Sequence, residues 1–181
     1  MYINTFINIT SRAWALPILA RLQEGVPGRQ APLLKATGAN RSAFALSMTH
    51  LIEIGLVERN PGYGHPLRPE FRLTLAGEKS AHLASDIILA TGARDQDLLR
   101  RTWVLPILAS LNQDDHFNQI RHRLSNISDR ALSHSLKSLE EREWVLRCVD
   151  QVARPPRSEY RAVNTGLAIS QITGAVVELG G

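Results

Sequence analysis

The chain has 181 residues, 44% of them hydrophobic and 21% charged, a balance that excludes a disordered or collagen-like protein. Its formal charge of +4 permits a nucleic-acid partner without demanding one. No apolar run nears the ~18 residues that span a bilayer, because the longest, around Ala13–Ala20, is broken by Pro17.

In chain order, a first helix is predicted over about 11–23, where Trp, Leu and Ile recur at helical spacing. Pro17 falls inside it, so either the helix starts near the proline or a kink is built in. A short helix over about 31–37 follows. A third begins after Asn40, a good N-cap, with Phe44, Met48 and Leu51 on one stripe. Two β-like runs, 56–59 and 70–74, flank a Pro/Gly-rich loop, and a helix over about 76–91 closes the set. The second half predicts the same order: helices over 98–111 and 118–124, then one capped by Ser128 with Leu132, Leu136 and Leu139 on its stripe. Runs 144–149 and 159–163 come next, around a Pro/Arg-rich loop, and a helix over 166–179 ends the chain.

The two halves also match residue by residue. Trp14-Ala-Leu-Pro-Ile-Leu-Ala-Arg-Leu22 returns as Trp103-Val-Leu-Pro-Ile-Leu-Ala-Ser-Leu111, identical at seven of nine positions and offset by 89. Leu51–Arg59 answers Leu139–Arg147 at an offset of 88, and Gly77 answers Gly166 at 89. A register kept over that distance reads as internal duplication. The expected architecture is mainly α (α+β): tandem winged helix-turn-helix domains, each of three helices, a hairpin wing and a closing helix. Residues 1–92 would form the first domain and 93–181 the second.

The second half resembles a known family. Phe117-Asn-Gln-Ile-Arg121, Asn126-Ile-Ser-Asp-Arg-Ala-Leu-Ser-His-Ser-Leu-Lys-Ser-Leu-Glu140 and Pro155-Pro-Arg-Ser-Glu-Tyr160 resemble the HxlR-type winged-helix transcriptional regulators, with Trp103-Val-Leu-Pro-Ile-Leu108 upstream. The first half keeps Trp14, Gly55–Arg59 and Glu70–Thr74, but its helix-turn-helix region has drifted. The resemblance implies DNA-binding regulation by a dimer, one winged-helix unit per half-site. Many members carry a sensing cysteine shortly before the first-helix tryptophan; neither Trp14 nor Trp103 has one.

The third helix is the expected reader. With Leu132 toward the core, Asp129, Arg130, Ser133, His134 and Lys137 point away from it, beside the cap Ser128. A short, polar, cationic face suits phosphates and base edges in a major groove. The equivalent face in the first half is Arg41, Ser42, Ala45, Leu46 and Thr49. There Leu46 could meet a thymine methyl, or the face could have turned to a protein contact. Expected wing contacts are His65 and Arg68 around Pro66, and Arg154 and Arg157 around Pro155-Pro156, since 18 of the 21 basic residues are arginines able to follow phosphate or enter a minor groove. Each of these surfaces has a plainer reading as solvated helix or loop.

No GxSxG, HExxH or P-loop pattern frames a catalytic group, so no enzyme activity, cofactor or metal is expected. Cys148 is the only cysteine and reads as a small buried hydrophobe of a strand. Trp14, Trp103 and Trp144 read as core. Taken together, the expectation is a cytoplasmic regulator that binds double-stranded DNA as an intrachain pseudo-dimer. A winged-helix protein–protein module that has lost DNA binding is the alternative. A homodimer through the terminal helices, using Ile169, Ile172, Val176 and Leu179, stays open.

Overall fold

The computed structural model describes residues 1–60, 70–111, 115–150 and 157–179. His65, Arg68 and Arg154 lie outside the described residues. The chain divides into two compact units, one formed by Arg12–Leu89 and the other by Met1–Ser11 together with Ala90–Gly181. The first is therefore inserted into the second. We call them the inserted unit and the split unit.

The inserted unit contains α2 (Ala15–Gln23), α3 (Gln30–Thr37), α4 (Arg41–Glu53), the strands β1 (Val57–Asn60) and β2 (Glu70–Leu73), and α5 (Leu75–Ala90). Leu16, Ile18 and Leu19 of α2 are buried with Leu33, Phe44, Met48, Leu51 and Phe71. Helix α4 starts where Asn40 accepts a hydrogen bond from the Ala43 amide at 2.8 Å, a cap that satisfies one of the four donors a helix start leaves open. The strands pair antiparallel from Val57↔Leu73 to Asn60↔Glu70.

The split unit contains α1 (Ile3–Thr10), two short 3-10 turns at Ala93–Asp95 and Leu98–Arg100, α6 (Val104–Ser110), β3 (Asp115–His116), α7 (Phe117–Arg123), α8 (Asp129–Glu141), β4 (Val145–Asp150), β5 (Arg157–Ala162) and α9 (Asn164–Gly174). All seven residues of α6 are buried, which makes it the unit's central helix. The sheet is antiparallel in the order β3-β5-β4, with Cys148 opposite Glu159 and His116 opposite Glu159 on the other side.

Several expectations need correction. The division at 92/93 placed Met1–Ser11 in the first domain, whereas this segment packs into the split unit. Ile3, Phe6 and Ile9 are each at most 4% exposed, and the Ile3 amide donates to the Glu178 carbonyl at 2.9 Å. An eight-residue helix is marginal alone, so only its tertiary seat holds it. Pro17 and Pro106 are each the third residue of their helix, where the missing N–H would have had no intrahelical acceptor; the helices start near the proline and need no kink.

Trp14 and Trp103 stand at the N-caps of α2 and α6 and are only partly buried. They precede the helical repeat that assigned them to the core, whereas Trp144 is 1% exposed. Cys148 is exposed, because it lies on strand β4 at the sheet's edge. Ile169 is fully buried, and α9 ends at Gly174, so Val176 and Leu179 are not part of a helical pairing stripe.

The closing helices enter under the same constraint in both units. A Cβ on Gly77 would lie 1.9 Å from the Leu56 carbonyl oxygen, and one on Gly166 would lie 2.0 Å from that of Trp144. The helix backbone there meets the residue just before the strand at a distance only glycine allows.

Candidate nucleic-acid interface

Helix α8 is built so that one side is buried and the other free. Leu132, Ser135, Leu136, Ser138 and Leu139 face the interior, and Asp129, Arg130, Ser133, His134 and Lys137 are exposed. The Ser128 hydroxyl oxygen accepts from the Ala131 amide at 3.3 Å and fixes where the helix begins; its own hydrogen remains available to a phosphate oxygen.

The structure qualifies the role of Asp129. Its carboxylate is engaged by Arg121 in the last turn of α7, so the pair links the two helices of the helix-turn-helix. Asp129 also sits in the first turn of α8, where the helix dipole favours a negative charge. Asp129 is thus paired at the surface, with both side chains more than half exposed. Arg121 was not anticipated from the sequence; its signal was its place in a helix-turn-helix followed by an acid at the next helix start. Arg130 and Lys137 then supply the formal positive charge of the outward face.

A second arginine of α7 turns inward. Arg123 donates to Asp115 at 2.6 Å and to the Ser110 carbonyl at 2.8 Å, and Asp115 is 4% exposed. The buried carboxylate is thus paired and bonded, the condition under which a buried charge is tolerated. The contact ties α7 to α6 and β3 and sets the platform for α8.

At the hairpin, Arg157 is exposed at the start of β5. Arg147 on the paired strand donates to the Ser158 hydroxyl at 3.1 and 2.9 Å. A cavity of about 690 Å³ opens between the start of α7 and β5, lined by His116, Phe117, Asn118, Gln119, Arg157, Ser158 and Tyr160. Burial raises the Tyr160 pKa, partly offset by Arg147, so the phenol stays neutral and can donate a hydrogen bond.

In the inserted unit, Arg41, Ser42, Ala45, Leu46 and Thr49 are all exposed on α4, and Leu46 is 59% exposed. The face holds one formal charge where α8 holds more. Arg72 of its hairpin is paired with Glu58 at 2.5 Å. Among the described residues, no group of three or more His, Cys, Asp or Glu is placed to hold a metal ion, and no helix is long and apolar enough to cross a membrane.

The HxlR-like helix-turn-helix family matches residues 98–181, which hold α6 through α9. An uncharacterized HTH-type transcriptional regulator of Bacillus subtilis (strain 168), YvaP, is 37% identical over 81 residues, covering 44% of this chain and 74% of the relative. The chain belongs to the HxlR-like family. No solved structure matches it. The HxlR-like match falls on the second half, the half whose α8 face keeps Arg130, His134 and Lys137. It leaves out Met1–Ser11, although that segment packs into the same unit.

Proposed function

We propose that this protein is a cytoplasmic, sequence-specific regulator of transcription that binds double-stranded DNA, with its two winged-helix units acting as an intrachain pseudo-dimer. The observation that carries the reading is the α8 face: Arg130, Ser133, His134 and Lys137 are exposed together, off the buried Leu132/Leu136/Leu139 stripe. Such a face meets base edges and phosphates in a major groove. Arg130 is the base-reading residue, Lys137 and Arg157 hold phosphate, and Arg121–Asp129 keeps the helix in register. The relative's description as an HTH-type transcriptional regulator agrees with this assignment.

The sequence repeat supports duplication of one unit, and the α4 face supplies the second reader through Arg41, Ser42, Ala45 and Thr49. Because the two faces differ, the pseudo-dimer prefers an asymmetric site. His65, Arg68 and Arg154 are the remaining wing contacts of this proposal. No catalytic group, cofactor or metal takes part.

A protein–protein module is the second reading, favoured by one observation: the exposed Leu46 at the centre of a nearly uncharged α4 face. Titration against genomic fragments at several salt concentrations separates the two. A regulator loses affinity as salt rises, with a log–log slope of about −0.9 per phosphate contacted. Absence of salt-sensitive binding to every fragment would favour the protein–protein module.

A further inference from the structure

A cluster outside the reading face joins the end of α8 to the segment through which the chain re-enters the split unit. Arg142 caps α8. One guanidinium nitrogen engages Asp95, and the other donates to Asp97 at 3.2 Å. The nitrogen on Asp95 also approaches the Arg94 carbonyl at 3.4 Å. Arg101 donates to the Ser138 hydroxyl at 2.7 Å and lies 3.9 Å from Asp97. Ser138 is on α8 itself, one residue beyond Lys137, and its hydroxyl in turn donates to the His134 carbonyl at 3.1 Å. The acids are partly shielded, Asp95 at 19% and Asp97 at 36% side-chain exposure, and Arg142 is at 29%.

We infer that Arg142 and Arg101 are positioning residues for DNA reading: through Asp95, Asp97 and Ser138 they fix the roll of α8 and so aim Arg130, His134 and Lys137. The inference rests on the regulator reading. A helix seated on one leucine stripe is fixed in depth but is weakly restrained against rolling about that stripe. Lateral bonds at its flank restrain that rotation. A fork with two donors in one plane holds angle as well as distance, which a lysine would not.

The counterpart helix of the inserted unit forms without such a cluster. At the repeat offset of 88, Ile54 stands where Arg142 does, and Ile54 is the C-cap of a 13-residue α4 that forms without any such arginine. The cluster belongs to the half that keeps the cationic face. It stands with the face that it would aim.

If the cluster holds α8 in the reading orientation, losing it reduces the fraction of molecules ready to bind, and the apparent affinity falls by that fraction. For partly exposed pairs the expected loss is about one and a half- to fivefold. The test compares wild type, Arg142→Gln and the double variant Asp95→Asn/Asp97→Asn, all as full chains. Binding to a selected DNA fragment is measured across a salt series, with thermal unfolding in parallel. The expected result is weaker binding for both variants by a similar factor and an unchanged salt slope, with a melting temperature lowered by only a few degrees.

A slope lowered by about one phosphate would instead make Arg142 a direct phosphate contact and overturn the inference. Variants partly unfolded at the temperature of the binding measurement would overturn it too, since loss of folded protein would then account for the lost affinity. Wild-type binding with unchanged affinity in both variants would overturn this inference alone. Absence of salt-dependent binding by the wild type would overturn the regulator reading and this inference with it.

Discussion

Gly166→Ala tests the close approach of α9 to Trp144. The new Cβ would lie 2.0 Å from the Trp144 carbonyl oxygen and 2.8 Å from its carbon. Reaching an ordinary 3.4 Å contact asks for a displacement of 1.4 Å, and neither partner moves freely. The Trp144 side chain is 1% exposed. Its amide donates to the Leu139 carbonyl at 2.9 Å, and its carbonyl accepts from the Val163 amide at 2.9 Å. Opening the gap shifts a buried indole and stretches at least one of these bonds. Overpacking of this kind costs about 1–3 kcal/mol, and a weakened backbone bond adds about 1 kcal/mol. Replacing glycine in a helix returns about 0.5–1 kcal/mol. The net expectation is a loss of about 2–3 kcal/mol, or roughly 10–20 °C in the melting temperature of a domain this size. Denaturant unfolding followed by Trp fluorescence measures it. Gly92→Ala is the control, because its Cβ would meet nothing within 4 Å and its φ of −60° suits alanine. A Gly166→Ala loss below about 0.5 kcal/mol, within the range of ordinary surface changes, would refute the close-contact argument.

Four further outcomes are expected. Arg130→Ala should cost about 1–3 kcal/mol in DNA binding and relax specificity at one base pair, whereas Lys137→Ala and Arg157→Ala should weaken all sequences alike and shallow the salt slope; fluorescence anisotropy with variant sites reads both effects. Glu143 holds a φ of 57° where the repeat places Gly55 at 72°, so Glu143→Gly should stabilise the split unit by about 1 kcal/mol in thermal unfolding, by removing a left-handed side-chain penalty. Asp115→Ala should cost about 1–3 kcal/mol, because Arg123, 30% exposed, loses its carboxylate partner but keeps the Ser110 carbonyl, seen as a lowered denaturation midpoint. Deleting residues 1–11 should lower the split unit's melting temperature and raise binding of a hydrophobic dye, since Ile3, Phe6 and Ile9 leave the core.

Local rules explain what was legible in the sequence. The repeat offset, the caps Asn40 and Ser128, and the stripes Phe44/Met48/Leu51 and Leu132/Leu136/Leu139 each depend on residues within a few turns of one another. They placed both third helices, and with them the faces that could read DNA, before any contact was known. Gly77 and Gly166 were also visible as a matched pair, though not the backbone approach that requires them.

What the tertiary structure alone decided are choices of partner between distant residues, which no local pattern encodes. Helix α1 looks in sequence like the opening of the first unit, yet its apolar side is buried in the split unit, across 78 intervening residues. A short amphipathic helix carries no mark of which core will take it. Charge pairing is equally ambiguous in sequence. Arg121 and Arg123 lie two apart, yet one reaches Asp129 at the surface while the other is drawn to the buried Asp115. Arg142 finds Asp95 and Asp97 more than forty positions away. An arginine's long side chain is drawn to whichever carboxylate the fold brings near, so the fold, rather than the sequence pattern, decides which basic residues remain free to meet DNA.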